Sequence, residues 1–450
     1  MIFLKRTKKF VIGLISGAAL FTGVSAMGLQ DDVKPVSAAT TSSSAINLTA
    51  KAALAIDADT GQVIYEKNAD AVLPIASMTK LISVDIILDQ IKSGKLTWDQ
   101  KVKIDNDSYK ISQDTSLSNV PLSKTKEYTV KQLYDASLIY SANGAIMALA
   151  HEVSGSQKDF VTLMRAKVKS WGITDAKIDN VSGLTNSDIS KADRYPGSAA
   201  SDENELTAKD MGIIAKNLLK KYPEVLKTTS IKRKYFDKGT SDQTLMENWN
   251  WMLPGLAKAY TELPVDGLKT GTSDKAGECF TGTVKKDGHR IITVVLGSSH
   301  KSETDVSRFT DTQKIMSYVF DMFNVETIKA GTTFKNADSL PVFHGKELTT
   351  KVMLKSNQKV WLKKGETVKS TISAKVSENA DLVKKTGLEA PIKANSDIGT
   401  LELTGKDNAL SYVDGKKSLS VTGTNKDAIE KANIFVIMWR AIANFFGNLF

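Results

Sequence analysis

Three short elements occur in order along this 450-residue chain: Ser77-Met-Thr-Lys80, Ser141-Ala-Asn143 and Lys269-Thr270-Gly271. A serine hydroxyl attacks an acyl carbon only when a neighbouring base removes its proton. A lysine serves as that base once burial or a second cation lowers its pKa. Together the elements offer a nucleophile with its base, two short polar side chains for a cleft, and a cation beside a hydroxyl. None is specific alone. The S-x-x-K pattern also begins at Ser123, Ser298 and Ser356, S-x-N recurs at Ser377 to Asn379, and Lys-Thr-Gly recurs at Lys385 to Gly387.

Context separates them. Ser77 opens an apolar run, Leu81-Ile-Ser-Val-Asp-Ile-Ile-Leu88, with Pro74 upstream and Gly94 beyond, which predicts a helix over 77–93. Positions i and i+3 of a helix share a face, so Lys80 sits beneath Ser77 in a core-bound setting that lowers its pKa. The free backbone N–H of Ser77 is available to a developing oxyanion. The three other S-x-x-K sites fall in polar loops or strand patterns. Ser141 and Asn143 lie in the break between helices predicted at 130–140 and 144–154, the first opened by a Thr129…Gln132 capping box and the second closed by Gly155. Lys269-Thr270-Gly271 precedes a strand predicted over 278–284, which puts it on or beside a strand edge. The copy at Lys385 lacks the Asp266-Gly267 lead-in and the following strand, and is read as chance.

Around these residues, 48–65 reads as a β-hairpin. Helical periodicity covers 157–171, 207–221 and 309–323, and strands at 279–285 and 290–297 are joined by a Lys-Asp-Gly turn. This order fits a mixed α/β domain with an antiparallel sheet. Beyond Val325 short alternating segments with Gly, Asn and Asp turns replace the helices. The expected organisation is a signal peptide over 1–38, a catalytic domain over 45–326, a small all-β domain over 327–425 and an amphipathic helix over 426–450.

The three elements occur together in penicillin-binding proteins and class A β-lactamases. The flanks Ile56-Asp-Ala-Asp-Thr-Gly-Gln-Val-Ile-Tyr-Glu-Lys-Asn-Ala69, Leu73-Pro-Ile-Ala-Ser-Met-Thr-Lys80 and Val265-Asp-Gly-Leu-Lys-Thr-Gly-Thr-Ser-Asp-Lys-Ala-Gly277 resemble the low-molecular-mass D-alanyl-D-alanine carboxypeptidases. The likeness runs from about Ala45 to the C-terminal helix. It implies that Ser77 attacks the carbonyl between two terminal D-alanines, that Lys80 accepts the proton and that Ser141 relays one to the leaving D-alanine. Asn143 would orient Lys80 and the substrate amide, Lys269 would add positive potential, and Thr270 would touch substrate. The N–H groups of Ser77 and Thr272 would form the oxyanion hole beside Gly271, and Arg308 would meet the terminal carboxylate. The implied partners are peptidoglycan stem peptides ending in D-Ala-D-Ala and β-lactams that acylate Ser77, with no cofactor or metal. In two places the chain departs from the family's pattern: Gly144 stands where many relatives carry Asp, and the stretch between Leu184 and Leu206 is longer than usual.

The ends read as targeting devices. Lys5, Arg6, Lys8 and Lys9 precede an apolar stretch from Phe10 to about Val24, followed by two Val-Ser-Ala sequences ending at Ala26 and Ala38. That is the form of a secretory signal peptide, with cleavage at Ala38 favoured. In the last nineteen residues Asn433, Arg440, Asn444 and Asn448 fall on one stripe of an otherwise apolar helix. Arg440 would cost about 3 kcal/mol or more at mid-bilayer, so the segment is expected to lie in the interface, stripe toward the headgroups, on the outer face of a membrane.

Lys+Arg outnumber Asp+Glu by 60 to 50, an excess that favours a polyanionic surface such as an anionic bilayer or a teichoic-acid wall. No zinc-finger spacing, aromatic-basic motif or basic tail points to nucleic acid. Cys279 is the single cysteine, and the four histidines lack zinc-ligand spacing. Two rivals remain. A class A β-lactamase needs a Glu-x-x-Leu-Asn glutamate, and Glu203-Asn-Glu-Leu-Thr207 misses the last residue. A catalytically silent wall-binding homologue would not need Ser77, Lys80, Ser141 and Lys269 intact.

Overall fold

The computed structural model describes residues 46–302, 304–384 and 387–447. The expected signal peptide, the Ser/Thr-rich segment after it and most of the Lys385 copy lie outside the described residues. The chain enters as a hairpin, β1 (Ala52–Asp57) and β2 (Val63–Lys67). The longer helices that follow are α1 (Lys80–Lys92), α2 (Asn106–Gln113), α3 (Val130–Ile139), α4 (Asn143–Ser154), α5 (Gln157–Ser170) and α6 (Ala208–Lys221). The chain then returns as β3 (Val265–Ser273), β4 (Gly277–Lys286) and β5 (His289–Ser298), and α7 (Ser307–Met322) packs behind them. The five strands pair antiparallel in the order β2-β1-β5-β4-β3. The mixed α/β arrangement is as expected, and β3, which carries Lys269-Thr270-Gly271, is an edge strand.

Side chains leave a strand alternately to its two faces, and this sheet is buried on both. Leu54 and Ile56 join Ile87 of α1, Ile146 of α4 and Ile214 of α6 in one core. Ala53 and Ala55 join Phe309, Ile315 and Val319 of α7 in another. Helix α1 has no solvent face along its first nine residues: Leu81, Ile82, Val84, Ile86, Ile87 and Leu88 are all buried. A helix buried on every side belongs at the centre of a core, and this one carries Lys80, Ser83 and Asp85 in with it.

The expected helix at 77 begins as a 3₁₀ turn over Ala76–Thr79, and the α-helix starts at Lys80. Ala76 opens that turn with a left-handed φ of 45°. Helix α2 had no apolar period to announce it and is set by its cap, the Asp105 side chain accepting from Asp107 N and Ser108 N.

Past α7 the chain passes directly into β6 (Phe323–Ile328), which pairs with β7 (Gln358–Lys363). Strands β8 (Ile372–Glu378), β9 (Asp397–Gly405) and β10 (Ser418–Thr424) then form a sheet with Met353–Leu354. Their core is their own, built on Val352, Leu354, Val360, Leu401 and Leu403. A polar seam joins this β-rich part to the hairpin. Buried Gln62 donates to Trp361 O and Ala409 O, each at 2.8 Å, and accepts from Trp361 N at 2.8 Å. The Trp361 indole donates to Asp57 Oδ2 at 2.8 Å, and backbone bonds Val63 N to Ser411 O and Val413 N to Gly61 O flank it.

The C-terminal helix, α8 (Ile434–Gly447), shows a wide apolar face: Ile434, Phe435, Met438, Trp439, Ile442, Phe445 and Phe446 are all exposed. Arg440, expected to face headgroups, turns instead to the protein and donates to Gly345 O at 2.7 Å and Lys346 O at 3.0 Å. Two loop carbonyls satisfy the guanidinium as water would, so the cation rests on the protein side while the apolar residues are exposed. Among the described residues no helix is long and apolar enough to cross a membrane.

Gln62 satisfies three buried backbone groups, and each one left unpaired costs about 1 kcal/mol or more. Gln62→Ala is therefore expected to lower stability by about 2–3 kcal/mol and to separate the unfolding of the two parts in calorimetry. A single transition at an unchanged midpoint would show that the seam contributes nothing.

Candidate active site

The 3₁₀ turn places Ser77 directly against Lys80, because i and i+3 eclipse in that geometry. Lys80 Nζ lies 2.8 Å from Ser77 Oγ, 2.7 Å from Asn143 Oδ1 and 2.8 Å from Ser182 O. Two glycines allow the surrounding chain to close on this turn. A Cβ at Gly183 (φ +84°) would stand 1.9 Å from Ala76 O, and one at Gly271 would stand 2.5 Å from Ile75 O. Either substitution would push its strand or loop off the serine.

Each partner of Lys80 is itself held. Asn143 opens α4, its Nδ2 donating to Ser118 O at 3.1 Å. Gly144, the departure from the family's pattern, has a packing reason: a Cβ there would meet Ser108 O of α2 at 2.7 Å and Ser112 Cβ at 2.8 Å. The Ser182 carbonyl is placed by an amide network that sequence reading missed. Asn180 Oδ1 accepts from Gly183 N at 2.7 Å, and Asn204 Nδ2 donates to Asn180 O at 2.8 Å and Thr79 Oγ1 at 3.0 Å. Ser141, in the loop before α4, adopts a left-handed φ of 59°. Such a conformation costs a non-glycine residue about 1 kcal/mol and marks a constrained position.

The edge of β3 forms the opposite wall. An open cleft is lined by Ser77, Ser141, Thr270, Gly271, Thr272 and Arg308. Its remaining lining includes Trp249, Trp251, His300 and Phe309. The indoles continue an aromatic row: Tyr140 stacks on Trp249 at 6.0 Å, Trp249 neighbours Trp251 at 6.3 Å, and Trp251 neighbours Phe309 at 5.8 Å. No motif announced these tryptophans, although two of them in Asn248-Trp-Asn-Trp251 is an unusual local density. Arg308 lies at the end of the cleft. Its Nε donates to Glu278 Oε2 at 2.7 Å, one terminal nitrogen donates to Gly271 O and Cys279 O, and the other donates to Thr272 Oγ1 at 2.6 Å.

Both lysines are shifted. Burial pushes Lys80 well below its ordinary value, and the charge of Lys269 pushes it further. Burial, then the Arg308 guanidinium, lowers Lys269 to about 7. A neutral amine in hydrogen-bond contact with a hydroxyl is a general base, and free N–H groups beside it stabilise an oxyanion.

The other S-x-x-K serines stand apart from this cluster. Ser298 Oγ donates to Asp311 at 3.0 Å, Ser123 pairs with Thr125 on the surface, and Ser356 is bonded by Gln358. Glu203, weighed for a β-lactamase, accepts from Thr185 and from Ser273 at 2.7 Å and does not line the cleft.

A serine with a buried lysine base, a Ser-x-Asn loop and a Lys-Thr-Gly edge strand on an antiparallel sheet define a serine acyl-enzyme of the penicillin-binding class. Comparison with known proteins narrows it. Residues 38–300 match the D-alanyl-D-alanine carboxypeptidase family, and residues 324–427 match the penicillin-binding protein 5 C-terminal domain. The chain belongs to the D-alanyl-D-alanine carboxypeptidase family, as a low-molecular-mass serine peptidase. It is similar to the Bacillus subtilis D-alanyl-D-alanine carboxypeptidase DacF, 29% identical over 83% of this chain and 87% of that one. Among solved structures it is similar to the Streptococcus pneumoniae peptidoglycan synthesis regulatory factor PBP3. The identity there is 34%, with 85% of this chain and 100% of that one covered and a TM-score of 0.67. Listeria monocytogenes penicillin-binding protein D2 in its ampicillin-bound form is 31% identical over 61% of this chain and 99% of that one, with a TM-score of 0.50. Carboxypeptidase activity is thereby favoured over the β-lactamase and silent-homologue readings.

The two amines set opposite limits on pH. As a candidate base Lys80 would act only when neutral, whereas Lys269, at about 7, loses its charge as pH rises. The rate constant for acylation by a fluorescent penicillin is expected to fall above about pH 7. Lys269→Arg, charged throughout, is expected to remove that fall; an unchanged alkaline limb would show that Lys269 does not set it.

Proposed function

We propose that this protein removes the terminal D-alanine from peptidoglycan stem peptides ending in D-Ala-D-Ala. The carrying observation is the 2.8 Å contact between Ser77 Oγ and a buried Lys80 amine whose pKa is held down. Ser77 Oγ bonds to the carbonyl carbon of the penultimate D-alanine as its proton passes to Lys80. The oxyanion is received by the N–H groups of Ser77 and Thr272. Ser141 relays the proton from Lys80 to the departing nitrogen, and D-alanine leaves with it. Asn143 keeps Lys80 aimed, while Lys269 and Thr270 attract and align the substrate along β3. Water then attacks the Ser77 ester, returning the serine proton and releasing the shortened peptide. A β-lactam enters by the same first step, and its ring-opened amine stays tethered to the acyl group, so the ester persists.

The aromatic row in the cleft lining supplies an apolar wall for a substrate whose side chains near the scissile bond are methyl groups. We read the C-terminal helix as an interfacial anchor on the outer face of the cytoplasmic membrane, reached by export through the N-terminal signal. Its seven exposed apolar residues lie on the side of α8 opposite Arg440, and Leu348 on the loop bonded to Arg440 is exposed as well. The helix would sink that face into the headgroup region while Arg440 stays on the protein.

Release of D-alanine from a peptide ending in D-Ala-D-Ala tests the reading. Release that a β-lactam blocks and Ser77→Ala removes, with folding intact, is expected. Penicillin labelling that survived Ser77→Ala would move the nucleophile elsewhere. Removal of residues 432–450 is expected to free active enzyme from anionic vesicles; retention on them would refute the anchor.

A further inference from the structure

Lys80 can take the proton of Ser77 only if its lone pair faces that hydroxyl. A neutral amine carries two N–H groups and one lone pair. Asn143 Oδ1 at 2.7 Å and Ser182 O at 2.8 Å accept the two N–H groups, which leaves the lone pair for Ser77 Oγ at 2.8 Å. The Asn143 amide could undo this arrangement. Turned over about its Cβ–Cγ bond, it would set an NH₂ against the amine and draw the lone pair off the serine. Ser118 O opposes that turn, accepting from Asn143 Nδ2 at 3.1 Å and from Asn143 N at 3.0 Å. A carbonyl cannot donate. While it stays in place the amide nitrogen must face it, and the amide oxygen must face Lys80.

Ser118 belongs to the loop after α2 and lines the cleft. Its carbonyl is held by the residue that follows. Asn119 Nδ2 donates to Ile111 O at 2.6 Å and Asp114 O at 3.2 Å at the end of α2, and Asn119 Oδ1 accepts from Gly144 N at 3.0 Å. The first N–H groups of a helix have no partner within it. Ala142, which precedes α4, has no side chain to cap them. Asn143 N and Gly144 N are capped instead from 25 positions away, by Ser118 O and Asn119 Oδ1. With glycine at 144, α2 approaches so closely that a Cβ would meet Ser108 O at 2.7 Å. One amide thus spans α2 and α4 and holds the loop over the Ser141-Ala-Asn143 element.

We propose that Asn119 is a positioning residue for the base: by fixing Ser118 O against Asn143 it keeps the Asn143 oxygen on Lys80 and the Lys80 lone pair on Ser77. The inference rests on the serine acyl-enzyme reading proposed above. Asn119 acts through Ser118 and Asn143 and touches none of the reacting atoms. Without it the protein would fold around an intact cleft whose amine is misdirected.

The test is acylation of the full chain by a fluorescent penicillin, resolved into a binding constant K and an acylation rate constant k2, beside D-alanine release from a peptide ending in D-Ala-D-Ala. A neutral hydrogen bond is equivalent to about threefold to tenfold in an equilibrium constant. Asn119→Ala is expected to lower k2 and kcat by about that factor, with K and KM little changed. Asn119→Asp still accepts from Gly144 N but cannot donate to Ile111 O and Asp114 O. It is expected to lower k2 in the same sense, and it keeps the test open if Asn119→Ala does not fold. Lys124→Ala, at an exposed position of the same loop, is expected to leave k2 and K as they are. An unchanged k2 in the Asn119 variants, even with a lower melting midpoint, would overturn the proposal and make the clip structural only. A loss confined to K and KM would also overturn it and make the loop a substrate contact. A wild-type protein that neither forms the penicilloyl ester nor releases D-alanine would instead sink the reading on which the proposal rests.

Discussion

An amine withdrawn from water must find a carboxylate or surrender its proton. Among the described residues Lys80 has no carboxylate: its three partners are the Ser77 hydroxyl, the Asn143 amide oxygen and the Ser182 carbonyl. Much of the catalytic part follows from sustaining that condition. Helix α1 is buried around its whole circumference over its first nine residues, and so carries a lysine into the core without a wet face. The sheet lies behind it, with β3 brought so close that only glycine fits at position 271. Burial lowers the pKa of Lys80, and the charge of a second amine, Lys269, lowers it further.

The cleft treats its cations in two ways. Lys80 and Lys269 are buried without acidic partners, and both are shifted toward the neutral form. Arg308 is buried against Glu278 and remains an ion pair. An unpaired buried amine changes protonation readily and can do chemistry; a compensated guanidinium resists change and holds geometry. The distribution of one carboxylate among three cations thus separates the moving protons from the fixed frame. Elsewhere in the core the fold pairs its buried charges, as with Asp85 and Lys167 at 2.7 Å.

What the sequence disclosed followed from locality. The serine, its lysine and the apolar helix behind them occupy a dozen consecutive residues, so spacing and hydrophobicity sufficed. The capping box at Thr129 and Gln132 was equally legible, and both of its reciprocal bonds form. The parts that escaped notice depend on residues distant in the chain. Ser182 is 102 positions from Lys80 and contributes a backbone oxygen, which no residue type can signal. That Arg308 meets both Glu278 and Thr272 rests on the register of β3 with β4, and the need for Gly144 on where α2 lands against α4. The 3₁₀ turn at Ser77 was hidden for a related reason: the left-handed Ala76 before it packs against the loop at Gly183, more than a hundred positions away. The orientation of Arg440 was misread because an amphipathic stripe tells which residues share a side, not whether water or two carbonyls lie opposite.

The seam through Gln62, Trp361 and Asp57 has a mechanical meaning. It ties the first β-turn of the catalytic part to the β-rich part with directional bonds across a buried contact, so a load on one is passed to the other. On the anchoring proposed above, the β-rich part would act as a spacer. The surface that held the C-terminal helix would then set the height at which Ser77 works, and with it the stratum of the polymeric surroundings that the cleft can reach.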